Sequence, residues 1–269
     1  MNRSELIHQI RTKKTFLCVG LDPDLDKLPK HLLEEEDPIY AFNQALIDAT
    51  APYCVAFKPN TAFYEAYGLM GMVSLERTMG YIKANYPDHL LIADAKRGDI
   101  GNTSTMYAKA FFEQLNADAI TVAPYMGSDS VKPFLHFKDK WTIVLGLTSN
   151  EGSADFQQLQ ANGKEMYMSV IETCAKWGTE NNMMFVIGAT KAKLLLDIRR
   201  MIPNHFLLVP GIGAQGGSLQ DVCNYGMNSD IGLLINSSRG IIYASGGKDF
   251  AQSAAAEAQT LANDMKDLL

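Results

Sequence analysis

Leu90-Leu91-Ile92-Ala93-Asp94-Ala95-Lys96-Arg97-Gly98-Asp99 is a short apolar run that ends in a cluster of charged residues. A run of four apolar residues without polar alternation is typical of a parallel strand that helices cover on both faces. Similar runs recur along the chain, each followed by a turn-forming cluster and a helical pattern. They predict strands that start near Phe16, Cys54, Leu90, Ala119, Trp141, Met183, Phe206 and Gly232.

The spacing of these strands predicts the architecture. Their starts are on average about 31 residues apart, close to the roughly 30 residues that a βαβ unit needs. Eight such units without a linker fit a closed barrel better than an open doubly wound sheet, which usually stops at five or six strands. We therefore predict an α/β fold, a TIM barrel of the (β/α)₈ type, with one domain covering residues 1–269.

The balance of charged residues limits the kinds of partner that the protein could bind. The chain of 269 residues has 24 Lys and Arg against 30 Asp and Glu, a formal net charge of −6. This balance disfavours nucleic acid and anionic membranes as partners, so an anionic ligand must meet positive charge that is placed locally. No apolar run reaches the roughly 18 residues of a membrane helix, and the polar start lacks the apolar region of a signal peptide. We expect a cytoplasmic protein.

Metal and disulfide scaffolds are also disfavoured by the sequence. The four cysteines are widely scattered, without a C-x-x-C pair or a nearby histidine cluster. The five histidines all lie outside the predicted strand ends, which disfavours Ser-His-Asp hydrolysis and histidine-based metal chemistry.

Two loops predict a phosphate site. In this fold the loops after strands seven and eight often bind phosphate. Strand seven leads into Pro210-Gly211-Ile212-Gly213-Ala214-Gln215-Gly216-Gly217, where glycine lets backbone N–H groups approach an anion. Strand eight leads into Asn236-Ser237-Ser238-Arg239-Gly240, which supplies a guanidinium. The glycine loop also matches G-x-G-x-x-G, but a dinucleotide site needs an acidic residue about 20 positions on, where Asn236 stands.

The densest chemical signal follows strand three. Period-two alternation puts Asp94 and Lys96 on one face, which at the mouth of a barrel can be the interior. Lys58 and Asp22 end strands two and one, so charges of alternating sign could pair there. Buried ions are costly unless they are paired. Asp99 lies past the strand, where it could cap the next helix, act in its own site or reach a neighbouring chain.

Two segments exceed the usual length of a βα loop: residues 22–37 and residues 148–163. The second lies on the face where active sites of this fold are found, and contains Ser149. It is compatible with a lid over the site and equally with an ordinary surface loop.

The pattern Asp94-x-Lys96-x-x-Asp99-Ile100-x-x-Thr103 resembles the signature of the orotidine 5′-phosphate decarboxylases. The resemblance extends from Asp22 through Lys58 to the glycine loop and Arg239, so it covers nearly the whole chain. The two long segments resemble the longer bacterial branch of that family. The resemblance implies decarboxylation of orotidine 5′-monophosphate to uridine 5′-monophosphate, the last step of de novo pyrimidine nucleotide synthesis, without a cofactor or a metal.

The resemblance also implies roles for individual residues. Lys96 would donate the proton that replaces CO₂ at pyrimidine C6, with Asp94 beside the departing carboxylate. Lys58 and Asp22 would contact the ribose hydroxyls, and Ser149 the pyrimidine edge. The 5′-phosphate would be held by Pro210, Gly211, Gly213, Gln215 and Arg239. A homodimer with shared active sites would result, because the residues that cross into the partner's site would be Asp99, Ile100 and Thr103.

Two alternatives stay open at this point. The first is a Mg²⁺-dependent sugar-phosphate decarboxylase or aldolase of the same suprafamily, in which Asp-x-Lys-x-x-Asp holds the metal. It would need further carboxylates, yet strand two ends in Lys58 and strand four in Ala123-Pro124. The second is a nucleotide-binding barrel without catalysis, which would bind uridylate without turning over orotidylate.

Overall fold

The computed structural model describes residues 1–161, 163–212 and 217–269. The strands in this part of the chain are β1 Leu17–Leu21, β2 Ala56–Pro59, β3 Leu90–Arg97, β4 Ala119–Val122, β5 Trp141–Leu147, β6 Gln160–Ala161, β7 Lys164–Glu165, β8 Met183–Ile187, β9 Phe206–Pro210 and β10 Leu233–Ser237. The α-helices are α1 Arg3–Lys13, α2 Pro38–Thr50, α3 Ala62–Glu65, α4 Gly68–Asn85, α5 Gly101–Lys109, α6 Ser128–Leu135, α7 Ser153–Phe156, α8 Met166–Ala175, α9 Leu195–Met201, α10 Leu219–Gly226, α11 Arg239–Ile242 and α12 Phe250–Lys266.

Eight of these strands form a closed parallel barrel. Its order is β1, β2, β3, β4, β5, β8, β9 and β10, and β10 pairs with β1 to close the ring. The short β6 and β7 form a separate antiparallel hairpin. The predicted (β/α)₈ fold is therefore confirmed, with all eight strands in the predicted order.

Three strands begin later than the sequence pattern predicts. They start at Leu17, Ala56 and Leu233, not at Phe16, Cys54 and Gly232. Gly232 has a φ of +65°, a left-handed conformation that cannot continue a strand ladder. The other two starts differ by only one or two residues, which is the usual uncertainty at the end of an element.

The two long segments contain local structure. In residues 22–37, the chain forms 3₁₀ turns at Leu25–Lys27 and Lys30–Glu34 before α2 begins at Pro38. The side chain of Asp37 accepts the Tyr40 N–H at 2.9 Å and so caps α2. The described part of residues 148–163 contains α7 and the first strand of the β6–β7 hairpin.

The barrel core consists of the strands themselves. Every residue of β1, β2, β4 and β8 is buried. Large side chains such as Trp141, Phe57, Phe185 and Phe206 are fully buried in the same apolar cluster. Burial on both faces accounts for the continuous apolar runs in the sequence, because each strand has the barrel interior on one side and helices on the other. Among the described helices, none is long and apolar enough to cross a membrane.

A buried carboxylate lies at the start of β4, at the end of the barrel opposite the charged strand ends. Asp118 accepts the Lys83 ammonium at 3.0 Å, the Leu91 N–H at 2.9 Å and the α-amino group of Met1 at 3.0 Å. Burial alone would raise the pKa of Asp118, but the Lys83 and Met1 ammonium groups lower it below the ordinary value. Asp118 therefore connects β3, β4, α4 and the start of the chain.

We expect Asp118→Asn to reduce the free energy of unfolding by roughly 2–3 kcal/mol at pH 7, because it removes the charge from a buried ion cluster while keeping the side-chain volume. Urea denaturation measures this change. The folded-state pKa is lowered, so the ionic contribution is complete above the ordinary aspartate range and is lost as the pH falls through the folded-state pKa. The difference in free energy of unfolding between the wild-type protein and Asp118→Asn should therefore shrink as the pH falls.

Asp264→Asn is the matched control, since Asp264 is exposed on α12. It should change the free energy of unfolding by less than about 0.5 kcal/mol. A deficit in Asp118→Asn that stays constant down to acid pH would contradict an ionic role for Asp118.

Candidate active site

The carboxyl ends of the barrel strands surround a cavity of about 350 Å³. Because parallel strands all end at the same rim, residues that are far apart in sequence meet there. Of the residues predicted for the site, eight line this cavity: Asp22, Lys58, Asp94, Lys96, Ser149, Pro210, Gly211 and Arg239.

Asp94 lies between two ammonium groups. Its Oδ2 accepts Lys58 Nζ at 2.8 Å, and its Oδ1 accepts Lys96 Nζ at 2.7 Å. Asp94 and Lys58 are buried, whereas half of the Lys96 side chain is exposed (50%). The three charges form one ion cluster in which only the Lys96 side chain has substantial access to the open cavity.

The cluster keeps Asp94 ionised. Burial alone would raise the pKa of Asp94, but the ammonium groups of Lys58 and Lys96 hold it well below its usual range. Burial would likewise lower the pKa of Lys58, but the carboxylates of Asp94 and Asp22 raise it above its ordinary value. Both groups therefore stay charged at neutral pH, as is usual when buried ions are paired and hydrogen-bonded.

The backbone of Lys96 departs from the predicted alternation. Its φ is +48°, in the left-handed region, and the β3–β4 register shifts between Ala93 and Arg97. Asp94 and Lys96 do meet, as predicted, but a bulge brings them together and not a regular strand. A left-handed φ is usually signalled by a glycine in the sequence, and position 96 is a lysine, so the sequence did not indicate this conformation.

Asp22 follows β1 and lines the cavity, separated by β2 from the Asp94 of β3. Its Oδ1 is buried and accepts no hydrogen bond from the described residues. Its backbone is held by Tyr243, whose hydroxyl donates to the Asp22 carbonyl at 2.8 Å and accepts the Asp24 N–H at 2.8 Å. Asp22 is thus fixed in place with one oxygen available to a ligand.

The predicted phosphate site is partly described. Pro210 and Gly211 follow β9 and line the cavity, with Gly211 at a φ of +99°. Arg239 lies on the same cavity, is exposed, and begins α11. Gly213 and Gln215, which were predicted for the same site, lie outside the described residues.

Ser149 lines the cavity next to Gly188, the residue that follows β8. A Cβ on Gly188 would lie 2.7 Å from Ser149 N and 2.8 Å from Ser149 Cα, so no other residue fits there without a shift. The preceding residue, Thr148, is held by Gln157 through two hydrogen bonds of 2.8 Å. Residues of the long segment therefore support this edge of the cavity.

Three predicted residues do not line the cavity of their own chain: Asp99, Ile100 and Thr103. The Asp99 side chain accepts the Ile100 N–H at 2.7 Å, and Ser104 bonds to both the N–H and the carbonyl of Asp99. Ile100 is 58% exposed, and Thr103 is exposed as well. These residues, two in the loop after β3 and Thr103 in the first turn of α5, therefore form no part of the cavity that Asp94 and Lys96 line.

Cavity residues that were not predicted from the sequence include Asn60, Thr121 and Asn150. Asn236 and Ser238, which also line the cavity, belong to the predicted phosphate loop but were given no role of their own. Thr121 and Asn236 are buried polar residues within apolar strands, and that contrast was the available signal. Gly20 explains how Ser238 fits, because a Cβ there would lie 1.8 Å from Ser238 Oγ. In the part of the chain that the structure describes, no group of three or more His, Cys, Asp or Glu residues could hold a metal ion.

Comparison with known proteins identifies the family. Residues 15–254 match the model of the orotidine 5′-phosphate decarboxylase / HUMPS family. The orotidine 5′-phosphate decarboxylase of Flavobacterium johnsoniae is 62% identical over 269 residues, which is 100% of this chain and 98% of that protein. The enzyme of the same name from Phocaeicola vulgatus is 58% identical and covers 100% of this chain and 99% of that protein.

A solved structure of an enzyme with the same activity in its name has the same fold. The OMP decarboxylase of Leishmania donovani superimposes with a TM-score of 0.84 at 36% identity, and the match covers 100% of this chain and 99% of that one. The barrel fold, the ion cluster at its mouth and the similarity to these relatives all indicate the same family. The chain belongs to the orotidine 5′-phosphate decarboxylase / HUMPS family.

Proposed function

We propose that this protein decarboxylates orotidine 5′-monophosphate to uridine 5′-monophosphate, with Lys96 as the proton donor. The observation that carries the proposal is the pairing of Asp94 with Lys58 and Lys96 at the mouth of the barrel. Relatives with the same activity in their names match the chain from end to end. We also propose a cytoplasmic location, because the substrate and product are charged nucleotides that do not cross a lipid bilayer unaided.

The chemistry follows from the residue types. When the bond between C6 and the carboxylate breaks, CO₂ leaves and the electron pair remains on C6. A fixed ammonium next to C6 stabilises that charge electrostatically and then transfers its proton to the carbon. Lys96 has this position in the proposal, and it regains a proton from water after product release. Asp94 and Lys58 hold the ammonium in place.

The remaining cavity residues would bind the substrate. The free Oδ1 of Asp22 and the ammonium of Lys58 suit ribose hydroxyls, and Ser149 suits the polar edge of the pyrimidine. Arg239 and the loop that begins at Pro210 and Gly211, with Gly213 and Gln215 farther along it, would hold the phosphate. Binding energy from a phosphate that is remote from C6 can be used to close and orient the site.

The charges in the cluster disfavour the Mg²⁺-dependent alternative. Each oxygen of Asp94 already accepts an ammonium group, at 2.8 Å and 2.7 Å. A divalent cation there would have to displace a lysine from a carboxylate flanked by two positive charges. Catalysis that survives EDTA is therefore expected.

The first test of the proposal is the absorbance change on conversion of orotidylate to uridylate in the presence of EDTA. The wild-type protein should turn over, and Lys96→Ala should lose far more than the roughly 10²–10³ that removal of one oxyanion-hole donor costs. Uridylate binding should persist in the variant. Lys248→Ala, which removes an exposed lysine, is the control. More than a tenth of wild-type turnover in Lys96→Ala would exclude Lys96 as the proton donor.

Arg239→Ala tests the phosphate site. Turnover of orotidylate should fall at least about 10²-fold, because a donor aimed at a charged group is lost. The slow turnover of orotidine, which lacks the phosphate, should barely change. Arg200→Ala removes an exposed arginine of α9 and should affect neither substrate. Equal losses on both substrates would move Arg239 out of the phosphate site.

We propose further that the protein is a homodimer whose active sites are shared. Exposed apolar side chains follow β2, β3 and β4, which are neighbouring strands: Leu69, Met70, Val73, Ile100, Met106, Tyr125 and Met126. Leu69 is 82% and Tyr125 90% exposed. Apolar surface of this kind commonly marks a protein interface. Asp99 and Ile100 in the loop after β3, and Thr103 at the start of α5, follow the same strands, so those residues would reach the partner's cavity.

Complementation between two inactive variants tests the sharing. Lys96→Ala and Asp99→Ala are purified separately and mixed under conditions in which dimers exchange. In a mixed dimer one site receives both changes, and the other combines an intact Lys96 with an intact Asp99. Random pairing makes about half of the dimers mixed, so activity should recover to roughly a quarter of wild type. If mass spectrometry shows exchange but no activity returns, Asp99 acts within its own chain.

A further inference from the structure

Thr121 is a buried polar residue in an apolar strand. It lies on β4, between Ile120 and Val122, and only 1% of its surface is exposed. Its side chain lines the same cavity as Asp94 and Lys96. A hydroxyl at such a position is costly to bury unless it is hydrogen-bonded.

The hydroxyl of Thr121 bonds to both members of the ion pair. It accepts the backbone N–H of Lys96 at 2.9 Å and donates to Asp94 Oδ1 at 2.9 Å. The directions of both bonds are determined, because a backbone N–H can only donate and an ionised carboxylate can only accept. One side chain therefore connects the main chain of Lys96 with the carboxylate that holds the Lys96 ammonium.

The register of the barrel shows why this connection is needed. Ala93 pairs with Ile120 and Arg97 with Val122, so three residues of β3 lie opposite Thr121 alone. A β-bulge of this kind leaves residues outside the regular ladder. The Lys96 N–H instead bonds to the Thr121 side chain, and the ladder resumes where the Ala123 N–H bonds to the Arg97 carbonyl at 2.8 Å.

The bulge also strains Lys96. A φ of +48° is unfavourable for a residue with a side chain and persists only where surrounding contacts enforce it. Lys96 is held at two points: its N–H by Thr121, and its ammonium by Asp94 at 2.7 Å. Thr121 contributes to both contacts, because its hydroxyl also bonds to the Asp94 oxygen that the Lys96 ammonium contacts.

We propose that Thr121 is a positioning residue for Lys96, which keeps the strained backbone and the ammonium aimed at the reacting carbon. This inference rests on the proposed role of Lys96 as proton donor. Thr121 touches neither the substrate nor the transferred proton in this role. Its hydroxyl group, not its volume, is the part that matters.

Substitutions that separate hydroxyl from volume test the proposal. Thr121→Val keeps the shape and loses both hydrogen bonds, whereas Thr121→Ser keeps the hydroxyl and loses a methyl group. We expect kcat for orotidylate to fall between about 10-fold and 100-fold in Thr121→Val, since a small misplacement of a catalytic group can cost about that much. Thr121→Ser should stay within about three-fold of wild type. Uridylate affinity, measured by calorimetry, should change by less than about three-fold in both variants.

Thr142→Val is the matched control. Thr142 is equally buried (1%) on the neighbouring β5, and its hydroxyl has no hydrogen-bond partner among the described residues. Its replacement should leave kcat unchanged. If Thr121→Val does not fold, Thr121→Ala compared with Thr121→Ser makes the same test for the hydroxyl.

Two results would overturn the proposal. One is wild-type kcat in Thr121→Val. The other is an equal loss in the valine and serine variants together with a parallel loss of uridylate binding, which would mean that Thr121 only supports the fold. Failure of the proposed function itself is distinguishable, because the wild-type protein would then not decarboxylate orotidylate, or Lys96→Ala would remain active.

Discussion

The catalytic face of this barrel depends on one carboxylate that two ammonium groups share. Asp94 lies between Lys58 and Lys96, at 2.8 Å and 2.7 Å. Asp94 and Lys58 are buried, and desolvating a buried ion costs several kcal/mol, so neither could remain charged there without an ionic partner. Because the pKa of Asp94 is held well below its usual range, Asp94 is a carboxylate at neutral pH and can accept hydrogen bonds from both lysines. In the proposed mechanism, the cluster that would stabilise a carbanion is thus assembled before the substrate binds.

Barrel closure brings these charges together. Lys58 and Asp94 come from neighbouring strands, so a parallel register places both at the same rim. Close backbone approaches complete the rim: Gly20 leaves room for Ser238, and Gly188 leaves room for Ser149. A Cβ at Gly20 would collide with the Ser238 side chain, and one at Gly188 would collide with the Ser149 backbone, so both glycines are needed for these close approaches.

Residues at the rim of the cavity come either from strand ends or from the loops that follow them. Strand ends provide the ion cluster, whose side chains are held by hydrogen bonds within the barrel. Loops provide Ser149, Gly211 and Arg239, whose positions depend on longer segments such as residues 148–163. Asp99, in the loop after β3, does not line the cavity of its own chain, and the next residue, Ile100, is an exposed apolar side chain. In the proposed homodimer, Asp99 would complete the partner's site.

The sequence by itself determined the fold and most of the charged residues that meet at the mouth of the barrel. Strands buried on both faces produce apolar runs, and their regular spacing is enough to predict eight βα units; the charged residues that interrupt those runs are visible because burying them is costly. Tertiary structure alone decided how these groups meet. The left-handed Lys96, the three residues opposite Thr121 and the contact of Gly20 with Ser238 arise from the register between strands, which no local pattern records. For the same reason Thr121 was overlooked: a polar residue in an apolar strand acquires a role only when barrel closure places a partner beside it.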